Sequence, residues 1–386
     1  MHIGIIGPCS TGPLADLLPT SSGSDAGWGG YSVVNLVRVL IEKGHRVSVV
    51  TLSPELTERR ILKGPKLTFY VYPTRTKRRM RDLYKIERQY LKEGILLAKP
   101  DLLHAQWTYE FALACLDMNV PTLVTCRDNA FRVLRFNRDL YRLGRLYLQL
   151  RVIRRARFLT AVSPYIANAL GWLARTEIEV IPNPVEIPHE GRNLCDGDLQ
   201  NCVRIATVIN GWQNLKNPKA AIKAFSLLRR HVPDAGMFMY GKGFQQGGPA
   251  SQWAVRNDLC ENIHFCGFLP HHDLLEKLKE MSILLHPSLE ESFGMAIIEA
   301  MALNLPVIAG NGSGGVNWVL DEGRAGFLTD VTKPEEITQT LLTCIRQRED
   351  RERKQKNAHE RVLTLFSPDS VAEQYTKMYE KVLSSY

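Results

Sequence analysis

The most constraining feature of this sequence is an alternation of short apolar runs with helical patterns that stops once and then restarts. The first set of runs is "HIGIIG", "RVSVVTL", "LTFYVYP", "DLLHAQ", "PTLVTC", "RFLTAVS" and "IEVIPN". Runs of this length between turn residues read as strands. "YSVVNLVRVLIEKGH" lies between the first two and reads as a helix, with Gly44 as its C-terminal stop signal. "VEIPHEGRNLCDGDLQN" is then polar and irregular, and the alternation resumes through "VRIATVIN", "GMFMYGKG", "IHFCGF", "SILLHPS", "PVIAGNG" and "GFLTD". The pattern predicts two β-α-β domains joined near residues 182–200, each a parallel sheet with helices on both faces. Ligands of such sheets bind outside the carboxyl ends of the strands, and two domains in tandem leave a cleft for one. The length of 386 residues suits two or three domains.

Composition is that of a globular protein, 45% hydrophobic and 23% charged. "MHIGIIGPC" reads as a first strand and turn rather than a signal peptide, and no run approaches the length of a membrane span. Eight cysteines without a C-x-x-C pair are expected to be reduced, in a cytoplasmic protein. Charge is uneven. Residues 1–185 hold 27 Lys and Arg against 15 Asp and Glu, a balance of +12; the remainder holds 22 against 25, or −3, which together give the net +9. The excess concentrates in "RTKRRMRDLYKIERQYLK" (75–92) and in residues 131–158, which carry nine arginines. Within 131–158, Leu140, Leu143, Tyr147 and Leu150 recur at helical spacing, with Arg138, Arg142 and Arg145 on other faces. Such a helix either packs its apolar side on its own domain, or meets an anionic membrane surface or an acidic acceptor. Neither basic segment has the aromatic interleaving of a nucleic-acid module, so no nucleic-acid partner is expected.

"EESFGMAIIEAM" (290–301) carries the chemistry. Its place after "SILLHPS" puts Glu291 in the loop at a strand's carboxyl end and Glu299 about one and a half turns into the following helix. Gly294 then marks the helix start, where backbone N–H groups can approach an anion. A phosphate there, with a carboxylate on each side accepting hydrogen bonds from hydroxyls, describes a sugar nucleotide. The plainer alternative makes Glu291 a helix cap and Glu299 an incidental surface acid.

The stretch "HPSLEESFGMAIIEAMALNLPVIA" resembles the E-x7-E signature of family 4 retaining glycosyltransferases. "GWGGYSVVNLVRVLIEKGHRVSVVTL" is similar to that family's glycine-rich loop and first helix, "VIPNPVE" to its linker, and "INGWQNLKNPKAAIKAFSLL" to its basic phosphate-binding segment. "MYGKGF" and "NIHFCGFLP" are similar to its nucleotide-side loops, and "FSPDSVAEQYTKMYEKVL" to its last helix. The resemblance implies the GT-B fold: two Rossmann-like α/β domains whose parallel sheets face each other across a cleft. Residues 1–183, completed by a C-terminal helix at 367–386, would form the acceptor side, and 184–366 the nucleotide-sugar side. It implies that Glu299 holds the ribose, that Glu291 holds hydroxyls of the transferred sugar, and that Lys216 neutralises the diphosphate. Amides of Phe293, Gly294, Met295 and Ala296 would face sugar and phosphate, and Gly29 and Gly30 would let the first loop close over them. Asn210 is a further candidate donor contact, and His104, at a strand end, reads equally as a core residue or as a substrate contact. The family works without a bound metal or cofactor.

Three positions depart from the family. Gly211, beside Asn210 and Trp212, replaces an arginine five residues before Lys216. Arg127 replaces a histidine that touches the donor sugar, and its permanent charge suits sugar or phosphate. Trp318 replaces a glutamate after "SGG". The candidate catalytic residues are thus Glu291, Lys216 and Arg127. "DGD" (196–198) mimics a metal motif but reads as a loop, and His271 and His272 read as exposed loop residues. The expected activity is retaining transfer from a nucleoside diphosphate sugar, UDP-glucose first, to a cell-surface, exopolysaccharide or lipid-linked glycan, in the cytoplasm or at the inner face of the membrane. The alternatives are an epimerase or phosphorylase on the same fold, and a non-catalytic sugar-nucleotide- or membrane-binding protein.

Overall fold

A computed structural model describes residues 1–18, 27, 29–188 and 203–386; Asp196 and Asp198 lie outside the described residues. The chain forms two compact units. Unit 1 comprises Met1–Pro184 and Pro368–Tyr386, and unit 2 comprises Val185–Ser367.

Unit 1 is built on an eight-stranded sheet, in the order β3-β4-β2-β1-β5-β6-β7-β8. Its strands are β1 (His2–Ile6), β2 (Arg46–Ser53), β3 (Arg60–Lys63), β4 (Leu67–Pro73), β5 (Leu102–Ala105), β6 (Thr122–Cys126), β7 (Phe158–Ala161) and β8 (Ile178–Val180). Every pairing is parallel, as expected, except that of the edge strand β3, which runs antiparallel to β4. The reason is the connection. Only Gly64, Pro65 and Lys66 separate the two strands, and the Gly64 amide donates to Leu67 O at 2.7 Å. A parallel crossover needs a dozen or more residues, so so short a link can only make a hairpin.

Helices α1 (Tyr31–Glu42), α2 (Lys85–Ala98), α3 (Glu110–Leu116), α4 (Ala130–Phe136), α5 (Leu140–Arg155), α6 (Pro164–Gly171) and, at the end of the chain, α14 (Pro368–Ser384) complete unit 1. Val33, Leu36, Val37 and Leu40 give α1 a wide apolar face that packs with Ile3, Val47 and Phe69 of the sheet and with Tyr375, Tyr379 and Val382 of α14. The basic segment 75–92 is largely structural. Arg75 forks onto Glu87 (2.9 and 2.6 Å) and Asp82 (2.9 Å), and Glu87 is buried.

The second basic segment is two helices, broken at Asn137–Asp139. The latter half of α5 buries Leu148, Gln149, Val152 and Ile153, and polar side chains along the helix also meet the protein. Arg142 pairs with Asp139, and the Arg145 guanidinium sits 3.4 Å from the Tyr109 ring centroid and 3.9 Å from Asp128. Gln149 donates to Thr108 Oγ1 at 2.8 Å and accepts from the Ala130 amide. Leu140, Leu143 and Tyr147 face solvent, 85%, 52% and 48% exposed. Three of the four stripe residues thus face solvent, while Leu150 is half-buried.

Unit 2 has a six-stranded sheet in the order β11-β10-β9-β12-β13-β14, with every pairing parallel. Its strands are β9 (Arg204–Val208), β10 (Gly236–Tyr240), β11 (Ile263–Gly267), β12 (Ile283–His286), β13 (Val307–Gly310) and β14 (Phe327–Thr329). Its helices are α7 (Pro218–Leu228), α8 (Pro249–Arg256), α9 (His271–Lys279), α10 (Met295–Ala302), α11 (Val316–Val319), α12 (Pro334–Arg346) and α13 (Arg348–Arg361). Strand order reverses between β9 and β12, so the loops leaving their carboxyl ends flank a crevice of the kind in which doubly wound sheets bind ligands.

Candidate functional site

Lys216, Glu291 and His286 meet at that crevice. Lys216 closes the short turn Asn214–Lys216 that follows β9, and Leu215 O accepts the Leu289 amide at 2.9 Å, which ties this turn to the loop after β12. The Lys216 ammonium lies 2.5 Å from Glu291 Oε1, and His286 Nε2, from the end of β12, lies 2.9 Å from the same oxygen. Burial opposes the charge on Glu291, but the Lys216 cation and the His286 hydrogen bond outweigh it and hold the carboxyl well below its ordinary range. Glu291 is thus an ionised acceptor at neutral pH.

Glu299 stands on α10 and is 7% exposed; its Oε1 lies 2.9 Å from His271 Nε2. The reading of Glu299 as an incidental surface acid is thereby overturned, as is the reading of His271 as an exposed loop residue. His271 opens α9 with its side chain only 15% exposed, whereas that of His272 is 86% exposed. Gly294 has φ +97° and precedes the first turn of α10; a Cβ there would sit 2.9 Å from Ile297 Cδ1. Only glycine takes this conformation without strain. The Phe293 ring is buried against Phe366 (5.5 Å) and Trp318 (6.2 Å), so this residue offers the site its backbone alone, and Trp318 is committed to packing. Met295 and Ala296 form the first turn of α10. Asn210 Oδ1 accepts the Lys242 amide at 3.1 Å and thereby pins the loop after β9 to the loop after β10. His286 and Lys242 escaped the sequence reading. A polar residue closing the apolar run "SILLH", five positions before Glu291, was the available signal for the first.

In unit 1, Gly29, Gly30, Ser32, Gln106, Arg127 and Asp128 are among the residues lining a pocket of 240 Å³. Gly30 has φ +78°, and a Cβ there would lie 2.4 Å from Pro8 O, so the β1–α1 loop closes on itself only with glycine. Arg127 donates to Gln106 Oε1 (3.0 Å from Nε), to Ser32 Oγ (2.9 Å) and to Asn183 Oδ1 (2.7 Å). All three are neutral. Of the two readings of His104, the structure adopts the core one. The residue is 0% exposed, with Nδ1 2.7 Å from the Tyr379 hydroxyl and Nε2 2.7 Å from Thr125 Oγ1, so both ring nitrogens are occupied in the core and a donor cannot reach them.

Burial, reinforced by the nearby Arg127 charge, holds the His104 pKa well below its usual value, so the folded protein keeps this ring neutral. The unfolded chain takes up a proton there near pH 6.5 that the folded one refuses. The stabilising contribution is complete above pH 6.5 and is lost as pH falls, by up to about 1.4 kcal/mol per pH unit. His104→Gln should therefore flatten the decline in melting temperature between about pH 6.5 and 5; parallel declines in the two proteins would contradict this.

Among the described residues no helix is long and apolar enough to cross a membrane. Residues 203–361 match the family described as glycosyl transferases group 1, and residues 29–188 match glycosyltransferase family 4. The chain belongs to the family 4 glycosyltransferases, and its two parallel-sheet domains are those of the GT-B class. It is 28% identical over 187 residues to D-inositol 3-phosphate glycosyltransferase of Corynebacterium glutamicum, covering 47% of this chain and 44% of that one. It is 27% identical over 184 residues to N-acetyl-alpha-D-glucosaminyl L-malate synthase of Bacillus anthracis, covering 47% and 46%. The chain thus spans about half the length of the curated relatives it matches. Its fold is similar to that of sucrose-phosphate synthase from Thermosynechococcus elongatus, with TM-score 0.79, 18% identity and all of both chains covered. It is also similar to Anabaena Alr3699/HepE in complex with UDP-glucose, with TM-score 0.71, 17% identity, and 99% and 100% of the chains covered.

Proposed function

We propose that this protein transfers a glycosyl group from a nucleoside diphosphate sugar to an acceptor hydroxyl, with retention at the anomeric carbon. The observation that carries the reading is the convergence of Lys216, Glu291 and His286 beside the Gly294 turn, with buried Glu299 on the helix that follows. A cation and the open amides at the start of α10 suit a diphosphate, and the two carboxylates suit the hydroxyls on either side of it. At about 4 Å and an effective dielectric near 20, a unit charge is worth roughly 4 kcal/mol. A helix terminus supplies about 0.3–2 kcal/mol. Lys216 is therefore the main electrostatic partner of the leaving group.

In the reaction, the bond from C1 to the diphosphate oxygen breaks as the acceptor oxygen bonds to C1 on the same face. The acceptor's proton passes to the departing phosphate oxygen. Glu291, held ionised, accepts hydrogen bonds from the sugar and has no proton to give. Lys216 meets the growing negative charge, which is catalysis by electrostatic stabilisation. UDP-glucose is the first candidate donor, supported by its presence in the complex of the structural neighbour. The acceptor is a cell-surface, exopolysaccharide or lipid-linked glycan hydroxyl, and the reaction takes place on the cytoplasmic side.

Because Lys216 and amides carry the phosphate charge in this account, release of UDP from UDP-glucose should persist in excess chelator. Complete loss in EDTA, restored by Mn2+ or Mg2+, would contradict it.

A further inference from the structure

Helix α5 has an exposed face besides the one that buries Leu148, Val152 and Ile153. Leu140, Leu143 and Tyr147 project from it into solvent, and Phe131 and Phe136 of α4, 63% and 37% exposed, project from the helix packed beside it. The Ala130 amide bonds the Gln149 side chain, so the start of α4 lies against the latter half of α5. Leu140, Leu143 and Tyr147, exposed together along one helix face, mark an interaction surface rather than ordinary surface composition.

Seven of the nine arginines of residues 131–158 fall into two sets; Arg132 is half-buried, and Arg157 donates to Ser385 O at 2.9 Å. Arg142, Arg145 and Arg155 are paired with Asp139, Asp128 and Asp117 and serve the fold. Arg135, Arg138, Arg151 and Arg154 are exposed, and among the described residues no carboxylate pairs with any of them. On α5, positions 140, 143, 147, 151 and 154 fall along one stripe at helical spacing, so the apolar half of the exposed face runs directly into its cationic half. Arg151 lies over the Tyr147 ring at 5.8 Å.

We infer that the α4–α5 face of unit 1 docks on an anionic lipid bilayer, with Phe131, Leu140, Leu143 and Tyr147 entering the headgroup boundary and the four unpaired arginines meeting lipid phosphates. The charge decides between occupants. A second copy of the chain packed on this face would set unpaired guanidinium against unpaired guanidinium, which is repulsive. An anionic interface satisfies the cations and buries the apolar stripe together, the combination by which amphipathic helices bind membranes. The inference stands apart from the donor chemistry, since it uses no residue of that site.

The test is co-sedimentation of the full chain with phosphatidylcholine vesicles that contain or lack phosphatidylglycerol, at about 0.1 M and about 1 M salt, between which the Debye length falls from about 10 Å to about 3 Å. The wild type should sediment with the phosphatidylglycerol vesicles at low salt, bind far less at high salt, and stay in solution with phosphatidylcholine alone. Arg135→Gln with Arg151→Gln and Arg154→Gln should weaken binding on the order of 100-fold. Leu140→Ser with Leu143→Ser and Tyr147→Ser should weaken it on the order of tenfold or more. All six side chains are exposed, so unchanged circular dichroism and melting should accompany both losses. A wild type that stays in solution with anionic vesicles at low salt would overturn the inference. So would a serine variant that binds as tightly as wild type, or a solution dimer that the serine substitutions disperse. UDP binding, measured on the same samples, reports separately on the proposed function.

Discussion

Lys216→Gln is expected to lower kcat/KM by about 10²–10³, the usual cost of removing one preorganised charge from a developing oxyanion. The structure adds a second consequence. Lys216 is the cation that holds Glu291 ionised, and both side chains are largely shielded, 24% and 14% exposed. Taking away one partner leaves the other carrying an uncompensated charge. That costs about 3–5 kcal/mol in a fully buried pair, and the residual solvent contact here puts the cost at or below the lower end of that range. The double variant Lys216→Gln with Glu291→Gln separates the two effects. It should regain the melting temperature lost in the single variant while staying inactive. Full turnover in Lys216→Gln, or recovery of turnover in the double variant, would remove Lys216 from the role assigned to it.

Glu299→Gln should weaken the binding of bare UDP by about 10–100-fold, since a hydrogen bond to a charged group is worth about 1.5–3 kcal/mol. Glu291→Gln should behave differently. It faces the transferred sugar, which bare UDP lacks, and its loss also releases Lys216 from the ion pair seen at 2.5 Å. Binding of UDP should then be unchanged or slightly tighter, while turnover falls. Calorimetry on both variants decides the matter. Equal weakening by the two substitutions would show that the carboxylates do not divide sugar and ribose between them.

The strands that build both sheets were legible because each is a short apolar run between turn residues, and the E-x7-E stretch was legible because its loop and helix are contiguous in sequence. Strand β3, "RILK", was not, since it lies at an edge and half its side chains face water. Helix α13, "REDRERKQKNAHER", buries only Arg351 and Ala358, so no apolar period announces it. The order of loop and helix in the sequence was enough to place Glu291, Gly294 and Glu299. Partners that come from elsewhere in the chain were not legible. Glu299 depends on His271, 28 residues away, and His104 is held by Tyr379, 275 residues away. The orientation of α5 was undecidable for the same reason. Its apolar stripe is present in the sequence, but the residues that draw its polar side chains inward, Asp128, Tyr109 and Thr108, lie on two other loops. Arg127 was singled out by its departure from the family pattern, yet its neutral partners Gln106, Ser32 and Asn183 come from three separate segments.

The central claim is that unit 2 is a nucleotide-sugar site, and the most direct measurement is thermal melting of the full chain with UDP, GDP and ADP, each in the presence of chelator. A ligand at about 100 times its Kd stabilises by about 2.7 kcal/mol, which for a domain of this size is a shift of roughly 5–10 °C. UDP should produce that shift, and Glu299→Gln should abolish most of it. A chain that none of the three nucleotides stabilises, or a UDP shift that Glu299→Gln leaves intact, would contradict the account.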